Sequence, residues 1–569
     1  CPVGCNLTYD VRREAKSGGK TVIKRVMPRQ NEEVNEIWLC DKGRFTYDYA
    51  GSGERLTQPL LRKDGELTPV SWEEAFTATA EKIKAAGTNL VTLVSGRVSS
   101  EDIFAAKMLA KHTESRIAIY STMGGGEWVS RVGMTSGSNL GDLQKGSVIL
   151  VIGSDLHQEA PLWWLRVKQA AQRGVTLIVA NARKTRLDKF STLQRRFDYG
   201  EAADALRELF QDDEETSKLF SSAENLVIFY GSDGMGLSHT SALAEVCAEY
   251  LVKTDHFGRA NNGLIPVWPR ANDQAAYELG IQTDADLVST INNAMGLYLI
   301  GADPVSDDPL LADAVQRAGF VIVHELFLTE TAKLADVVFP AQAAVERSGT
   351  YISGERRAQY FGAAIPALKG TKADHHIISE VLQHLGHAAL PRTDKDLFTL
   401  AFANNEFAKM LTTKEQWPVI GDEDAYYGGT ASRNTFGLGI HLHLAGGRDV
   451  PARAQVPVKI KLKNGDRLVV PVNRLYDHGQ LMTLTPLLMK RVSEEILFIH
   501  PQDAEKLAVT DRSIVTLKLA DREYPAVIKI SSDQPENVIL VTRSSGIPLS
   551  TPAGAQIIVP GAQPEGGAQ

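Results

Sequence analysis

The sequence predicts an α/β multidomain protein, with parallel-sheet lobes in the middle, a small cysteine-bearing segment at the start and a β-rich domain at the end. Four apolar runs are each followed by a small-residue turn and a helical pattern, which indicates strands buried on both faces. Three of the four cysteines fall within the first 40 positions, and period-two alternation appears near the end. Because 569 residues exceed what one core usually holds, several domains are expected.

The composition is that of an ordinary globular protein, with 43% hydrophobic residues, 23% charged residues and a net charge of -8. This acidic balance argues against nonspecific binding to nucleic acid or to an anionic membrane, which requires a clustered basic surface. No run approaches the ~20 consecutive apolar residues of a membrane span. Membrane contact is therefore expected only through a partner.

The cysteine segment is the strongest chemical signal. Cys1 and Cys5 enclose Pro2 and Gly4, which favour a tight loop in which thiolates and backbone N–H groups converge, and Cys40 follows downstream. A 4Fe-4S cluster usually takes four thiolates, so a fourth ligand is expected before Cys1. A Cys5–Cys40 disulfide, a structural zinc site and a lipidated Cys1 are the alternatives.

The four apolar runs predict strands near residues 89–96, 147–155, 225–233 and 296–303. Residues 153–180 and 301–323 resemble each other and predict two related βαβ lobes. Glycine-rich turns at the carboxyl ends of such strands are where open α/β sheets bind ligands, although a purely structural turn is an equal alternative. Residues 231–236 lack the full dinucleotide fingerprint, so no NAD site is predicted.

Other patterns predict structure more than chemistry. A capping box at Ser71 predicts a helix that runs to about Ala86, and Cys247 is predicted to be a buried thiol within a helix. Residues 456–462 and 513–519 alternate with period two, which predicts a β-rich domain, such as a barrel. The chain has no Gly-x-Ser-x-Gly elbow, which disfavours a hydrolase of that kind.

Several stretches are characteristic in combination. They are residues 1–7, 39–44, 179–183, 261–266 and 329–340, the last continuing through Glu346 to residues 349–357. Together they resemble the molybdopterin oxidoreductase superfamily, and most closely its branch of large iron-sulfur subunits in bacterial NADH:quinone oxidoreductase, respiratory complex I. The resemblance covers nearly the whole chain.

The resemblance implies three parts. These are a 4Fe-4S segment over residues 1–54, two interleaved Rossmann-like lobes over residues 55–450 and a C-terminal dinucleotide-binding-like domain, a six-stranded β-barrel, over residues 451–569. In the family pattern another cysteine stands three residues before the position of Cys1, which agrees with the missing ligand. The resemblance also implies that Cys1, Cys5 and Cys40 bind iron. Lys42 stands beside Cys40, where its charge would raise the cluster potential, and an ordinary exposed lysine is the alternative.

The resemblance also bears on molybdenum. Catalytic relatives such as formate dehydrogenases bind molybdenum through a cysteine or selenocysteine in the loop that matches residues 120–140. This chain has no cysteine there, although Ser130 or Ser136 leaves a serine ligand open. The absence of a soft ligand favours the complex I branch, so molybdopterin is expected to be absent and no catalytic residue is assigned. The alternative is a molybdopterin-dependent oxidoreductase of the formate dehydrogenase type.

The function implied by the resemblance is that of an electron-transfer and scaffold subunit of a proton-translocating NADH:quinone oxidoreductase. Such a subunit carries electrons from NADH through iron-sulfur clusters towards quinone and is not catalytic alone. The expected partners are other subunits of the complex I peripheral arm, with no nucleic acid and with membrane contact only through those subunits. The expected location is peripheral, on the cytoplasmic side of the bacterial inner membrane.

Overall fold

The computed structural model describes residues 1–211, 214–411, 438–446, 462–463, 465–477, 479–492 and 496–560. The boundary predicted between residues 450 and 451 lies outside these residues, as does the strand predicted at 456–462 except for its last residue. None of the helices in the described ranges has both the length and the apolar character needed to cross a bilayer.

The strands of the described residues form four sheets and a barrel. In chain order they are β1 (Leu7–Glu14), β2 (Lys20–Pro28), β3 (Leu60–Lys63), β4 (Glu66–Pro69), β5 (Leu90–Ser95), β6 (Arg116–Tyr120), β7 (Val148–Ile152), β8 (Thr176–Ala180), β9 (Leu193–Arg195), β10 (Leu226–Tyr230), β11 (Gly263–Pro266), β12 (Gly296–Ile300), β13 (Val321–Glu325), β14 (Val337–Pro340), β15 (Gly349–Ile352), β16 (Arg357–Phe361), β17 (Ile440–His441), β18 (Arg467–Val472), β19 (Ile496–Ile499), β20 (Ile514–Leu519), β21 (Arg522–Ile530), β22 (Val538–Thr542) and β23 (Ala553–Ile558).

The α-helices lie mostly between the strands of the two parallel sheets. In chain order they are α1 (Asp41–Phe45), α2 (Trp72–Ala86), α3 (Ser100–His112), α4 (Gly126–Val132), α5 (Leu156–Glu159), α6 (Pro161–Gln172), α7 (Ala202–Gln211), α8 (Glu214–Ser221), α9 (Leu237–Lys253), α10 (Asp273–Glu278), α11 (Leu287–Asn292), α12 (Pro304–Asp307), α13 (Ala312–Arg317), α14 (Glu330–Leu334), α15 (Asp374–His384), α16 (Asp394–Phe402), α17 (Gln480–Thr483), α18 (Pro486–Met489) and α19 (Pro501–Lys506).

Two parallel sheets form the lobes. The five-stranded sheet has the order β11-β10-β7-β8-β9 and is parallel throughout. The seven-stranded sheet has the order β4-β3-β14-β13-β12-β5-β6, with β3 and β4 antiparallel at one edge. The five-stranded sheet lies in the chain between β6 and β12, so the strands of the two sheets are interleaved along the chain.

The four predicted apolar strands are confirmed as β5, β7, β10 and β12. Each is buried along its whole length, since helices cover both faces of a parallel sheet. The helix predicted from Ser71 is also confirmed, because the Ser71 side chain accepts a hydrogen bond from the Glu74 backbone N–H and the helix ends at Ala86.

The last part of the described chain is a closed barrel in the strand order β18-β22-β19-β21-β20-β23, which confirms the six-stranded prediction. Strand β20 has alternating buried and solvent-facing positions, as its period-two pattern predicts. Val469, Leu517 and Ile539 are among the fully buried residues of the barrel's own apolar core.

Candidate functional site

The first cysteine loop is shaped by Gly4 and bound to a distant hairpin. Gly4 adopts a positive φ of 73°, which glycine tolerates and which bends the chain between Cys1 and Cys5. Its carbonyl accepts a hydrogen bond from Gln359 Nε2 at 2.7 Å, and the Pro2 carbonyl accepts one from the Gly354 N–H at 2.8 Å. The loop is therefore positioned by the β15–β16 hairpin.

Cys40 is positioned by a helix start. It is the N-cap residue of α1, and its Sγ accepts a hydrogen bond from the Gly43 backbone N–H at 3.5 Å. Hydrogen bonds of this kind to a cluster sulfur tune its potential. Lys42, two residues after Cys40, forms an ion pair with Asp477 at 2.7 Å.

The structure brings the three predicted cysteines into one neighbourhood. Cys5 and Cys40 are half-buried against the same apolar cluster, and the backbone amine of Cys1 lies within electrostatic range of both. Burial raises the pKa of the Cys5 thiol, and Cys40 adds to that rise. All three are free thiols in this structure, so the alternative Cys5–Cys40 disulfide is not present in it. Cys247 is fully buried, as predicted.

A set of three or more His, Cys, Asp or Glu side chains arranged around one metal ion does not occur in the described residues. In a four-iron cluster each thiolate binds a different iron, so the sulfurs need not converge on one point. Cysteine thiolates are the donor chemistry that such a cluster requires. The assignment of Cys1, Cys5 and Cys40 to iron stays a prediction.

The stretch 354–357, predicted only as a family signature, attaches the cysteine segment to the lobes. Arg357 forms an ion pair with Glu33 at 2.5 Å, and Glu355 accepts a hydrogen bond from Trp163 Nε1 at 2.7 Å. Arg356 is fully buried and pairs with Glu278 at 2.7 Å. The Arg357–Glu33 pair joins the cysteine segment to this stretch, while the Glu355 and Arg356 contacts hold the stretch within the lobes.

A cavity of about 290 Å³ adjoins the cysteine segment. It lies at the carboxyl edge of the seven-stranded sheet, where β5 leads to β6 on one side and β12 leads to β13 on the other. This reversal of strand order is where open α/β sheets bind ligands. The lining includes Cys1, Lys42, Arg97, Arg270, Gly301 and Asp477.

The cationic lining of this cavity is not evident from the sequence, although Arg97 directly follows the Gly96 turn. The cations Lys42, Arg97, Arg270 and Arg347 line the cavity, and each is paired with an acid. Arg97 binds Glu325, Arg270 binds Asp307 at 3.5 Å, and Arg347 binds both Asp102 and Asp374. Lys42 is held by Asp477. The cavity therefore offers little uncompensated positive charge to an anionic ligand.

The two serines considered as molybdenum ligands lie elsewhere. Ser130 is buried in α4, where its hydroxyl donates to the Gly126 carbonyl and accepts from Gln274 Nε2. Ser136 is exposed, and neither residue lines the cavity. The sulfur atoms in the lining belong to Cys1 and Met482. None of the residues 120–140 is among those that line this cavity.

The corresponding edge of the five-stranded sheet carries a buried ion-pair network. Arg183 Nε lies 2.8 Å from Asp233 Oδ2, and Arg183 also binds Asp155 at 3.2 Å. Asn181 donates to the Ser154 carbonyl at 3.2 Å. The stretch 179–183, predicted as a family signature, thus neutralises the acids that follow β7 and β10.

Two family models match the chain. The model "Molybdopterin oxidoreductase" matches residues 55–384, more than half of the chain. The model "NADH-ubiquinone oxidoreductase NDSU1/NuoG-like, 4Fe-4S domain" matches residues 2–48, which include Cys5 and Cys40.

Curated relatives fall into two groups. The F420-dependent formate dehydrogenase subunit alpha of Methanocaldococcus jannaschii is 23% identical over 95% of this chain and 93% of its own length. In the second group, an NADH-quinone oxidoreductase subunit of Rickettsia felis is 29% identical over 66% of this chain. The corresponding subunit of Mycobacterium bovis is 25% identical over 96% of this chain. The chain spans only 53% and 67% of these two subunits.

A solved structure has a similar fold. Acetylene hydratase from Pelobacter acetylenicus superposes with a TM-score of 0.69 over 98% of this chain and 99% of its own, at 13% identity. The extent of the first family match, the two interleaved parallel sheets and the six-stranded barrel lead to one conclusion: the chain belongs to the molybdopterin oxidoreductase family.

Proposed function

We propose that this chain is the large iron-sulfur subunit of an NADH-quinone oxidoreductase, an electron-transfer and scaffold subunit that is not catalytic alone. The observation that carries the proposal is that Cys5 and Cys40, in a segment matched by the NuoG-like 4Fe-4S model, lie in one neighbourhood with Cys1, which directly precedes the matched residues 2–48. The relatives that are NADH-quinone oxidoreductase subunits support the same assignment.

In this proposal the three thiolates contribute three of the four ligands of a 4Fe-4S cluster. Such a cluster supplies one-electron transfer when it is bound. The chain's own contribution is to position the sulfurs through Gly4, α1 and the β15–β16 hairpin, and to place a paired lysine beside Cys40. Burial raises the pKa of the Cys5 thiol, so this thiol would have to lose its proton in order to hold iron.

The second candidate is a molybdopterin-dependent oxidoreductase of the formate dehydrogenase type. It is favoured by the nearly full-length similarity to the Methanocaldococcus jannaschii formate dehydrogenase subunit. Against it stand the loop 120–140, which has no cysteine, and the position of Ser130 and Ser136 outside the cavity. We therefore propose that the cavity serves as scaffold and that the chain carries iron without molybdenum.

We further propose that the partners are other subunits of the peripheral arm of such a complex. A location on the cytoplasmic side of the bacterial inner membrane, with membrane contact through those subunits, follows from the same proposal. Translocation of protons and contact with quinone then belong to the complex and not to this chain.

Metal analysis of the protein isolated within its complex tests the proposal. We expect iron and acid-labile sulfide without stoichiometric molybdenum, and an iron-sulfur signal in electron paramagnetic resonance. Cys5→Ser should abolish the signal of this cluster because it removes one thiolate. Cys247→Ser is the matched control, since Cys247 lies buried in α9 and its replacement should leave the signal unchanged.

Stoichiometric molybdenum or formate oxidation by the isolated chain would overturn the proposal in favour of the second candidate. A signal that survives Cys5→Ser would remove this segment from the cluster assignment.

A further inference from the structure

The cysteine segment carries a second feature that cluster binding does not use, the hairpin formed by β1 and β2. These strands pair antiparallel with each other and form a two-stranded sheet. In the described residues neither strand pairs with a third. A two-stranded ribbon is marginally stable alone, and its edges are open to pairing with another chain.

The hairpin is strongly basic within an acidic protein. Residues 11–25 contain six cations and a single acid, whereas the whole chain has a net charge of -8. All six cations are exposed, namely Arg12, Arg13, Lys16, Lys20, Lys24 and Arg25. Clustering of one sign of charge raises the local potential, which steers an oppositely charged partner.

Acids of the chain itself compensate only part of this charge. Lys24 pairs with Glu14 at 2.8 Å, and Arg25 pairs with Asp10. Arg12 shares Glu14 with Lys24, and together they help to hold the pKa of Glu14 below its ordinary value. Within the described residues, neither Lys16 nor Lys20 forms an ion pair with an acid, and these two lysines flank the turn.

The base of the hairpin joins it to the cluster segment. The Arg29 N–H donates to the Asn6 carbonyl at 3.0 Å, and the Arg29 guanidinium donates to Asn6 Oδ1 at 2.8 Å. Asn6 directly follows Cys5. The hairpin is therefore anchored at its base, beside the predicted iron ligand Cys5, and projects its turn away from that base.

We propose that the β1–β2 hairpin is the docking element for an acidic face of another protein subunit. This inference rests on the proposed function, because that subunit belongs to the same complex. A protein partner fits better than a long polyanion, since the acidic remainder of the chain repels nucleic acid and anionic bilayers beyond the small basic patch.

The test uses the full-length chain, tagged and isolated with its complex from its own host. Lys16→Glu combined with Lys20→Glu reverses the charge at the turn. We expect recovery of the complex in ~0.1 M salt to fall about tenfold or more, because like charges then meet across the interface. Wild-type association should weaken as salt increases. Lys395→Glu combined with Lys518→Glu is the matched control, since both residues are exposed lysines outside the hairpin.

Carbodiimide cross-linking then identifies the occupant. We expect Lys16 or Lys20 to join an Asp or Glu of a different subunit in the wild-type complex, and this product to disappear in the double variant. Cross-links to a second copy of this chain, retention on nucleic acid or anionic vesicles instead of a subunit, or unchanged recovery of the double variant would each overturn the proposal. Isolation of the wild-type chain without another protein would overturn it as well.

Iron content and the paramagnetic signal are measured on the same samples. A double variant that keeps both but loses its partner supports docking by the hairpin. A wild-type protein that lacks iron refutes the proposed function itself, so the two failures are distinguishable. An unchanged thermal midpoint of the variant shows that the fold is intact.

Discussion

Individual residues show how the family signatures act in this chain. Glu346 belongs to a signature visible in the sequence, but its partner Arg55 stands 291 positions away and could not be identified without the fold. Both side chains are almost fully buried, and their nearest atoms lie 2.9 Å apart. Removing one member of such a pair leaves an uncompensated buried charge, which costs about 3–5 kcal/mol.

Arg55→Met should therefore lower the thermal midpoint strongly, since Glu346 would remain buried without its cation. Lys63→Met is the control. Lys63 pairs with Glu74 at 2.6 Å, but both side chains are nearly half exposed, and such pairs contribute about 0–1 kcal/mol. Differential scanning calorimetry of both variants checks the prediction, and equal midpoints would contradict it.

Glu101 gives a prediction about pH. Burial raises the pKa of Glu101 to about 7 from an ordinary value of 4.5. The hydrogen bonds that Glu101 accepts from Thr350 lower this pKa, but by less than burial raises it. Between these values the folded protein keeps a proton that the unfolded chain has released, so Glu101 makes stability fall as pH rises across this window. Glu101→Gln should flatten the decrease of the thermal midpoint across the window between these two pKa values. An unchanged slope would show that Glu101 ionises freely.

At the scale of elements, the periodicity and apolar content of the sequence predict the strands. The position of the candidate site depends instead on loop geometry. The buried strands β5, β7, β10 and β12 could be predicted because each is a continuous apolar run. The basic character of the β1–β2 hairpin was hidden by the acidic balance of the whole chain. Overall net charge does not report a local patch, since opposite charges elsewhere cancel it in the sum.

The loop between Cys1 and Cys5 depends on one glycine. A Cβ at Gly4 would lie 2.6 Å from Gln359 Nε2 and 3.1 Å from Ser353 Cβ, and the left-handed φ adds strain of about 1–2 kcal/mol. Gly4→Ala should therefore displace Gln359 and lower the iron content per chain. Gly18→Ala is the control, because Gly18 also has a positive φ, of 66°, but no atom lies within 4 Å of its Cβ position. Equal iron content in the two variants would contradict this role of Gly4.

At the scale of the whole molecule, the parts could be predicted from the sequence and their contacts could not. The interleaved lobes and the six-stranded barrel followed from apolar patterns and family resemblance. The cavity lining could not be predicted, because it combines residues from 1 to 482 that only the folded chain brings together. The same holds for the contact of Lys42 with Asp477, which joins the cysteine segment to a residue 435 positions later.

That contact predicts how the wider fold tunes the proposed cluster. Burial favours the neutral Asp477 carboxyl, yet the Lys42 ammonium holds its pKa below the ordinary value, so Asp477 is ionised and offsets part of the lysine charge beside Cys40. Positive charge stabilises a cluster that has gained an electron. Lys42→Gln should lower the reduction potential, and Asp477→Asn should raise it by exposing the full charge of Lys42. Redox titration followed by paramagnetic resonance measures both shifts. Shifts of the same sign would mean that the pair acts by positioning the segment and not by its charge.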